Sequence, residues 1–335
     1  LTLKTWGAYA GDLRGPRILD AIETHLCRLS HGNGPREALE MLALQVCLST
    51  EPIFDPHKAR EWIKSFEPPE FVISPSTVDV TSNKKSKKLQ SASLGLITKM
   101  VESGLLTQHR NNRMRFNHPI FGGYLAGKAM ASYKSEVLLD QPPWIGKYLA
   151  LRFLAEFGDA TPLTDKLLSV LDRPLSRNLM TPARWLRDAP RHMAWRGQVM
   201  AKLVELLRQT GQPLALRGQA LCAFVQSEDP SAAVLFRQLL EETDNDLLQL
   251  AALGSGALQD TNAIELLSDL LHTQSPNVRR SACLALVNIG TTAAMDIVAS
   301  ALLHGDENLR RAAAEALANH PGEGHLMLKE GASMK

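Results

Sequence analysis

A period of 31 residues dominates the C-terminal part of this chain and limits what it can fold into. Leu216, Leu247, Val278 and Leu309 stand 31 residues apart, and the same step links Ala220, Ala251, Ala282 and Ala313. A third column, Ala223, Gly254, Ala285 and Ala316, puts small residues three positions after those alanines, on one helix face, where a neighbouring helix must come close. Two further columns, Leu235, Leu266, Ile297 and Leu239, Leu270, Ala301, are spaced by four within each period and mark the apolar side of a second helix. Between the two sets lie Asp229-Pro230-Ser231, Asp260-Thr261-Asn262 and Thr291-Thr292, whose side chains can cap the second helix by accepting hydrogen bonds from its free N–H groups. Each period therefore encodes helix, turn, helix. One such pair cannot bury its apolar faces alone, so the pairs stack into a curved solenoid stabilised by neighbours, with the exposed concave face expected to bind a partner.

Asn277-Val278-Arg279-Arg280 and its counterpart Asn308-Leu309-Arg310-Arg311 resemble the opening of the first helix in HEAT-like repeats, of the short type shared with bilin-lyase proteins. The resemblance covers Pro213 to about Pro321. The arginines read either as ligand-binding residues or as a structural ladder, each joining a carboxylate or carbonyl of the next repeat, and the ladder is the preferred reading. Upstream, Trp144 to Leu171 and Thr181 to Arg208 read as degenerate helical repeats, with Leu149, Phe153 and Phe157 on one face and Leu163, Leu167, Leu168 and Leu171 on the next. Thr161-Pro162 and Thr181-Pro182 each offer an N-cap followed by a proline at the first helical position. Irregular lengths and the break at Arg173-Pro174 suggest an adaptor before the regular stack.

Before residue 135 the pattern changes. Pro16 to Leu29 is an amphipathic helix with Ile18, Leu19, Ile22, Leu26 and Leu29 on its packed side and His25 on its surface. Pro35 to Leu48 is apolar over much of its circumference and reads as a buried central helix. Asp55 caps a helix over Pro56 to Phe66, and Leu94, Ile97, Met100 and Val101 face the core from one over Ser91 to Ser103, which Gly104 ends. Residues Leu105 to Phe116 then form two short strands about an Asn111-Asn112 turn. Three helices and a hairpin spell a winged helix. The expected architecture is mainly α: a helical segment over 1–34, a winged-helix domain over 35–135, degenerate repeats over 140–212 and an α-solenoid of HEAT-like helix pairs over 213–335.

Winged helices often read nucleic acid, and here Lys84, Lys85, Lys87 and Lys88 precede the third helix while Arg110, Arg113 and Arg115 decorate the hairpin. The preferred alternative is that 81–90 is a solvated loop after the Pro68-Pro69 and Pro75 breaks. Met114-Arg115-Phe116-Asn117-His118-Pro119-Ile120-Phe121, followed by Tyr124-Leu125-Ala126, resembles the winged-helix end of NACHT-type STAND ATPases, which carry Phe-x-His, a phenylalanine three residues on, then Tyr-Leu-Ala-Ala. Gly122-Gly123 replaces the usual Gln-Glu pair and Gly127 the second alanine. The resemblance covers about Pro35 to Met130. It implies that His118 reaches the phosphates of bound ADP and helps hold the switched-off state; a histidine that only fixes the strand-to-helix corner is the equal alternative.

Gly122-x-x-x-x-Gly127-Lys128 imitates a phosphate-binding loop, but Ala129 stands where the magnesium-binding Ser or Thr is required, and Tyr124 and Leu125 read as the buried face of a helix. No metal-ligand spacing and no nucleophile elbow occur, so no catalytic residue, metal or cofactor is expected in this chain, with ADP or ATP expected only in a longer parent. The sequence begins with Leu1 and reads as a piece of something longer, whose ATPase module would lie upstream. A formal charge of +2 gives no global field toward nucleic acid or a membrane. Cys27, Cys47, Cys222 and Cys283, unpaired in spacing and set in apolar helical segments, read as buried thiols in a reducing compartment, with the cytoplasm as the expected location. The expected function is the regulatory, protein-binding part of a NACHT-like signalling ATPase, with a protein partner on the solenoid and self-association as a further expectation. The alternatives are a winged-helix DNA-binding regulator and a bilin-lyase-like repeat protein.

Overall fold

The computed structural model describes residues 18–30, 36–67, 95–133, 135–170, 176–320 and 322–333. Lys84, Lys85, Lys87, Lys88 and Leu94 lie outside them. The chain divides into two compact units, one reaching Leu163 and including Asp188–Pro190, the other holding Thr164–Arg187 and Arg191 onward.

The first unit contains α1 (Ile18–Ser30), α2 (Arg36–Ser49), α3 (Pro56–Ile63), α4 (Leu96–Glu102), β1 (Leu106–Gln108), β2 (Met114–Phe116), α5 (Pro119–Met130) and α6 (Ile145–Phe157). α2 buries Ala38, Leu39, Leu42, Ala43, Leu44, Val46 and Cys47, as an all-round apolar helix must. The Asp55 carboxylate caps α3, accepting from the His57 N–H at 2.7 Å, with Pro56 at the first helical position. The hairpin pairs Leu106 with Phe116 and Gln108 with Met114, and Asn111 and Asn112 turn it at φ 58° and 56°. Its second strand, β2, lies between β1 and Phe54 and exchanges backbone hydrogen bonds with the latter: the Phe54 N–H donates to Met114 at 2.8 Å, and the Met114 N–H donates back at 2.9 Å. The chain order is thus helix, bridging residue, two helices, hairpin.

The expected boundary at 135–140 falls between two helices that pack tightly. Tyr124 of α5 meets Phe153 and Phe157 of α6 edge to face, at 5.3 and 5.4 Å between ring centroids. A Cβ on Gly123 would sit 2.3 Å from Leu149 Cβ, and one on Gly127 would sit 2.7 Å from the Ala150 carbonyl. The two glycines therefore let α5 and α6 approach, and the phosphate-loop imitation is a helix-packing motif. His25 is not the surface residue its position suggested: it is buried and stacks on Phe121 at 5.1 Å, because α1 lies against α5. Cys27 is exposed, as is Cys222 in the second unit, while Cys47 and Cys283 are buried. The reading of four buried thiols thus holds for two of them, since apolar neighbours in sequence do not say which helix side a residue takes.

α7 (Thr161–Ser169) leads from the first unit into the second, and Thr161 donates its N–H to Asp159 at 2.9 Å, so the acceptor is Asp159 and not Thr161. The second unit continues with α8 (Arg177–Ala183), α9 (Ala194–Arg208), α10 (Leu214–Gln226), α11 (Ser231–Leu239), α12 (Asn245–Ala257), α13 (Ile264–Leu270), α14 (Pro276–Ile289), α15 (Thr292–His304), α16 (Glu307–Ala318) and α17 (Glu323–Ser333). Thr181-Pro182 does not open a helix: it closes α8, with Thr181 Oγ1 donating to the Arg177 carbonyl at 2.8 Å. From α10 onward the period governs. First helices α10, α12, α14 and α16 pack on one another in succession, and each second helix, α11, α13 or α15, lies against the first helix of the following repeat. The columns beginning at Leu216 and Ala220 are buried throughout. The column Leu235, Leu266, Ile297 is only half-buried; the deep positions lie one residue on, at Phe236, Leu267 and Val298, each fully buried.

Candidate functional site

The repeat stack is tied together by aspartates that serve two neighbours at once. Asp244 caps α12, its Oδ1 accepting from the Asp246 N–H at 2.8 Å, while its Oδ2 takes the Arg217 guanidinium of the preceding repeat at 3.1 Å. Asp306 repeats this at α16: Oδ1 accepts from the Leu309 N–H at 2.8 Å and Oδ2 from Arg279 at 2.6 Å. Asp260 offers Oδ1 to the Asn262 N–H at 3.2 Å and Oδ2 to Arg237, which is one second helix back. Asp229 accepts from the Ser231 N–H at 3.0 Å, with Arg196 at 4.0 Å from its other oxygen. Arg217, 2% exposed, also donates from Nε to the Leu207 carbonyl at 2.8 Å, so its buried charge is paired and hydrogen-bonded.

The α14 N-terminus omits the device. Leu248 stands in the Arg217 and Arg279 register, and Ser275, in the Asp244 and Asp306 register, makes no side-chain cap. Of the other arginines singled out in the sequence, Arg280 reaches Glu315 of the next repeat at 2.9 Å, and Arg311 meets the same carboxylate at 3.6 Å within its own helix. Burial works against ionisation of Asp229 and Asp244, yet hydrogen bonds from Ser231 and Asp246 and the adjacent Arg196 and Arg217 charges outweigh it, holding both carboxyls below the ordinary range. Asp306 is lowered by the Leu309 N–H and by Arg279.

The outward face of the first helices carries its own columns. Cys222 and Leu253 are exposed and Leu284 half-buried, in register on α10, α12 and α14, and Asn277, Arg280, Asn308 and Arg311 lie exposed beside them on α14 and α16. The second helices show a different surface, with exposed Glu265 and Asp269 on α13 and Asp296 on α15.

At the strand-to-helix corner of the first unit, His118 is the N-cap of α5. Its Nδ1 accepts from the Ile120 N–H at 3.2 Å, Pro119 follows, and the ring sits edge-on to Phe121 at 6.2 Å. With Nδ1 engaged as an acceptor, a neutral imidazole carries its proton on Nε2, and the residue is exposed. Lys128, the lysine of the apparent phosphate loop, pairs with Glu40 at 3.2 Å. Arg36 joins Glu40 at 3.4 Å to Glu23 at 2.8 Å, and the Tyr124 hydroxyl donates to Glu23 at 2.6 Å. Although burial opposes it, that hydroxyl and the Arg36 and Lys128 charges hold the Glu23 carboxyl below its usual range, while burial and Glu23 push Tyr124 up.

The three hairpin arginines differ in their surroundings. Arg113 donates to the Ile53 carbonyl at 3.1 Å and lies 4.0 Å from Glu51, whereas Arg110 and Arg115 are exposed. Sequence reasoning missed Arg196 and Arg217; the signal for Arg217 was its place in the Arg279 column, 62 residues earlier.

A family model for HEAT repeats matches residues 232–318, from α11 to the last turn of α16. No curated protein matches the chain. No described helix is long and apolar enough to cross a membrane. The HEAT repeats make binding or scaffolding of proteins the coarse function of that stretch.

Proposed function

We propose that α10–α17 form a scaffold that holds a protein partner on the outward face of the first helices, as the regulatory part of a NACHT-like signalling ATPase. The observation that carries the scaffold reading is the register of Cys222, Leu253 and Leu284, an apolar line across three successive helices edged by Asn277, Arg280, Asn308 and Arg311. First helices pack directly on first helices, so this face runs unbroken from one repeat to the next. Cys222→Glu with Leu253→Glu, both at exposed positions, is expected to remove the crosslinked partner of the native protein while the melting temperature stays unchanged. Equal loss on placing Glu at Val234, on the second-helix side, would contradict this choice of face.

Two features support the NACHT-like half. Helix, Phe54 bridge, two helices and hairpin follow one another in the order of a winged helix, and His118, to which the motif resemblance gives the phosphate contact, has an exposed ring whose Nδ1 is taken by its own cap bond, leaving Nε2 for a ligand. Titration of ADP into the longer parent protein tests it with two substitutions. His118→Asn keeps a side-chain cap and removes the imidazole; weakened ADP binding at unchanged stability is expected. If His118→Ala lowers stability, His118→Asn restores it and neither changes ADP binding, His118 is a cap alone.

A further inference from the structure

The first unit holds a cavity of about 430 Å³ beside the strand-to-helix corner, with Asn117 and Pro119, the neighbours of His118, in its lining. Ala43, Val46 and Cys47 of α2 form one wall, Gly122, Gly123 and Ala126 of α5 another, and Phe116 and Trp144 close it. Its size lies within the range of small-molecule sites, and its surface is mostly apolar.

The walls are held by bonds that do not depend on a ligand. Gln141 donates from Nε2 to the Cys47 carbonyl at 3.1 Å and accepts from the Trp144 indole N–H at 3.2 Å. Lys147, buried, donates to the Gln141 carbonyl at 2.6 Å and the Leu139 carbonyl at 3.0 Å. Trp144 folds over Gly146, where any Cβ would meet its ring at 2.1 Å. The indole is thereby pinned beside the cavity.

Its polar groups are few and of one sign. Arg115 lines it, is exposed, and has no hydrogen-bond or ion-pair partner among the described residues, while Asn117 turns its amide to the Gly104 carbonyl at 3.1 Å. None of the described lining residues is acidic, and the buried Cys47 thiol, pushed up to about 12, supplies no negative charge. Ile145, 58% exposed, extends the apolar surface to the rim.

We infer that this cavity binds a small amphipathic monocarboxylate, its apolar body against Trp144 and the α5 glycines and its carboxylate on the Arg115 guanidinium. A planar guanidinium with no acceptor among the described residues matches a carboxylate in a two-pronged hydrogen bond, and an apolar slot whose described lining carries no acidic group disfavours a cation. The inference is independent of the function proposed above.

Calorimetric titration of 4-phenylbutyrate, with the neutral 4-phenylbutanamide as control, tests it on the full chain. The carboxylate is expected to bind at least about tenfold more tightly than the amide, and Arg115→Gln to erase that preference. Arg115 is exposed, so the substitution leaves the fold intact, which a melting curve checks. Amide N–H resonances of Gly122, Gly123 and Gly146 are expected to shift on binding. Equal binding of the two ligands would make the cavity a plain apolar groove and overturn the inference. So would no binding at millimolar concentration, a preference that survives Arg115→Gln, or shifts confined to other residues.

Discussion

The repeat stack and the first unit both tie distant elements together with polar side chains, but they organise those links differently. In the stack one device recurs, an aspartate with one oxygen on a helix N-terminus and the other on an arginine of the corresponding helix of the preceding repeat, at Asp244, Asp260 and Asp306. In the first unit each link is used once: Tyr124 to Glu23 across 101 residues, Arg113 to Ile53 across 60, and Gln141 to Cys47 across 94. A periodic stack gains its stability from nearest neighbours, so the same chemistry can be copied with the period. The first unit closes long loops, and each closure needs its own partner.

The comparison can be broken most severely at the helix contacts. Gly127→Val places new carbons against the Ala150 carbonyl, Phe153 Cβ and Leu154 N, and is expected to cost about 3 kcal/mol, with hydrogen-exchange protection lost across α5 and α6. Gly256→Val, whose Cβ would meet Ala285 Cα at 2.6 Å, is expected to act on α12 and α14 instead. Protection that fell evenly over the whole chain in either variant would erase the contrast. Asp260→Ala removes a cap and strands Arg237 at once, and a loss of about 2 kcal/mol in urea unfolding is expected.

Acid should separate the two regions more gently. Burial, with Arg28 alongside, lowers the His25 pKa from its ordinary 6.5. A depressed folded value means the unfolded chain takes up the proton first, so the His25 contribution is complete above 6.5 and is lost as pH falls through the lowered value. The stack aspartates are also depressed, but from 3.8, so their contribution persists until the pH falls through values below that. Urea unfolding between about pH 7 and about pH 5 is therefore expected to weaken the first unit and leave the stack unchanged. The smallest effect is chemical: Cys27 and Cys222 should react promptly with a thiol reagent, whereas burial protects Cys47 and Cys283, each pushed up to about 12.

The repeats were legible because burial and period coincide: Leu216, Ala220 and their successors are core at every step. The capping turns at Asp229, Asp260 and Thr291 were legible too, since short polar side chains before an apolar run have few other uses. The arginine ladder could be read only in part, because an arginine column does not say which carboxylate faces it, and Leu248 interrupts the column. The hairpin and its Asn111-Asn112 turn were plain, but the Phe54 bridge was not: one extended residue leaves no periodicity. Arg115 was visible as a charge, not as the single cation of a cavity, because Trp144, Gly122 and Ala43 come together only through packing.

The most direct test of the stack's construction is a double-mutant cycle on Arg217 and Asp244, with Arg217→Met, Asp244→Ala and the pair compared by urea unfolding. A coupling energy of about 1 to 2 kcal/mol between the two sites is expected, reflecting a buried guanidinium against a partly exposed cap. Strictly additive losses would mean that the arginine and the cap act separately, and that the repeats are held by their apolar columns alone.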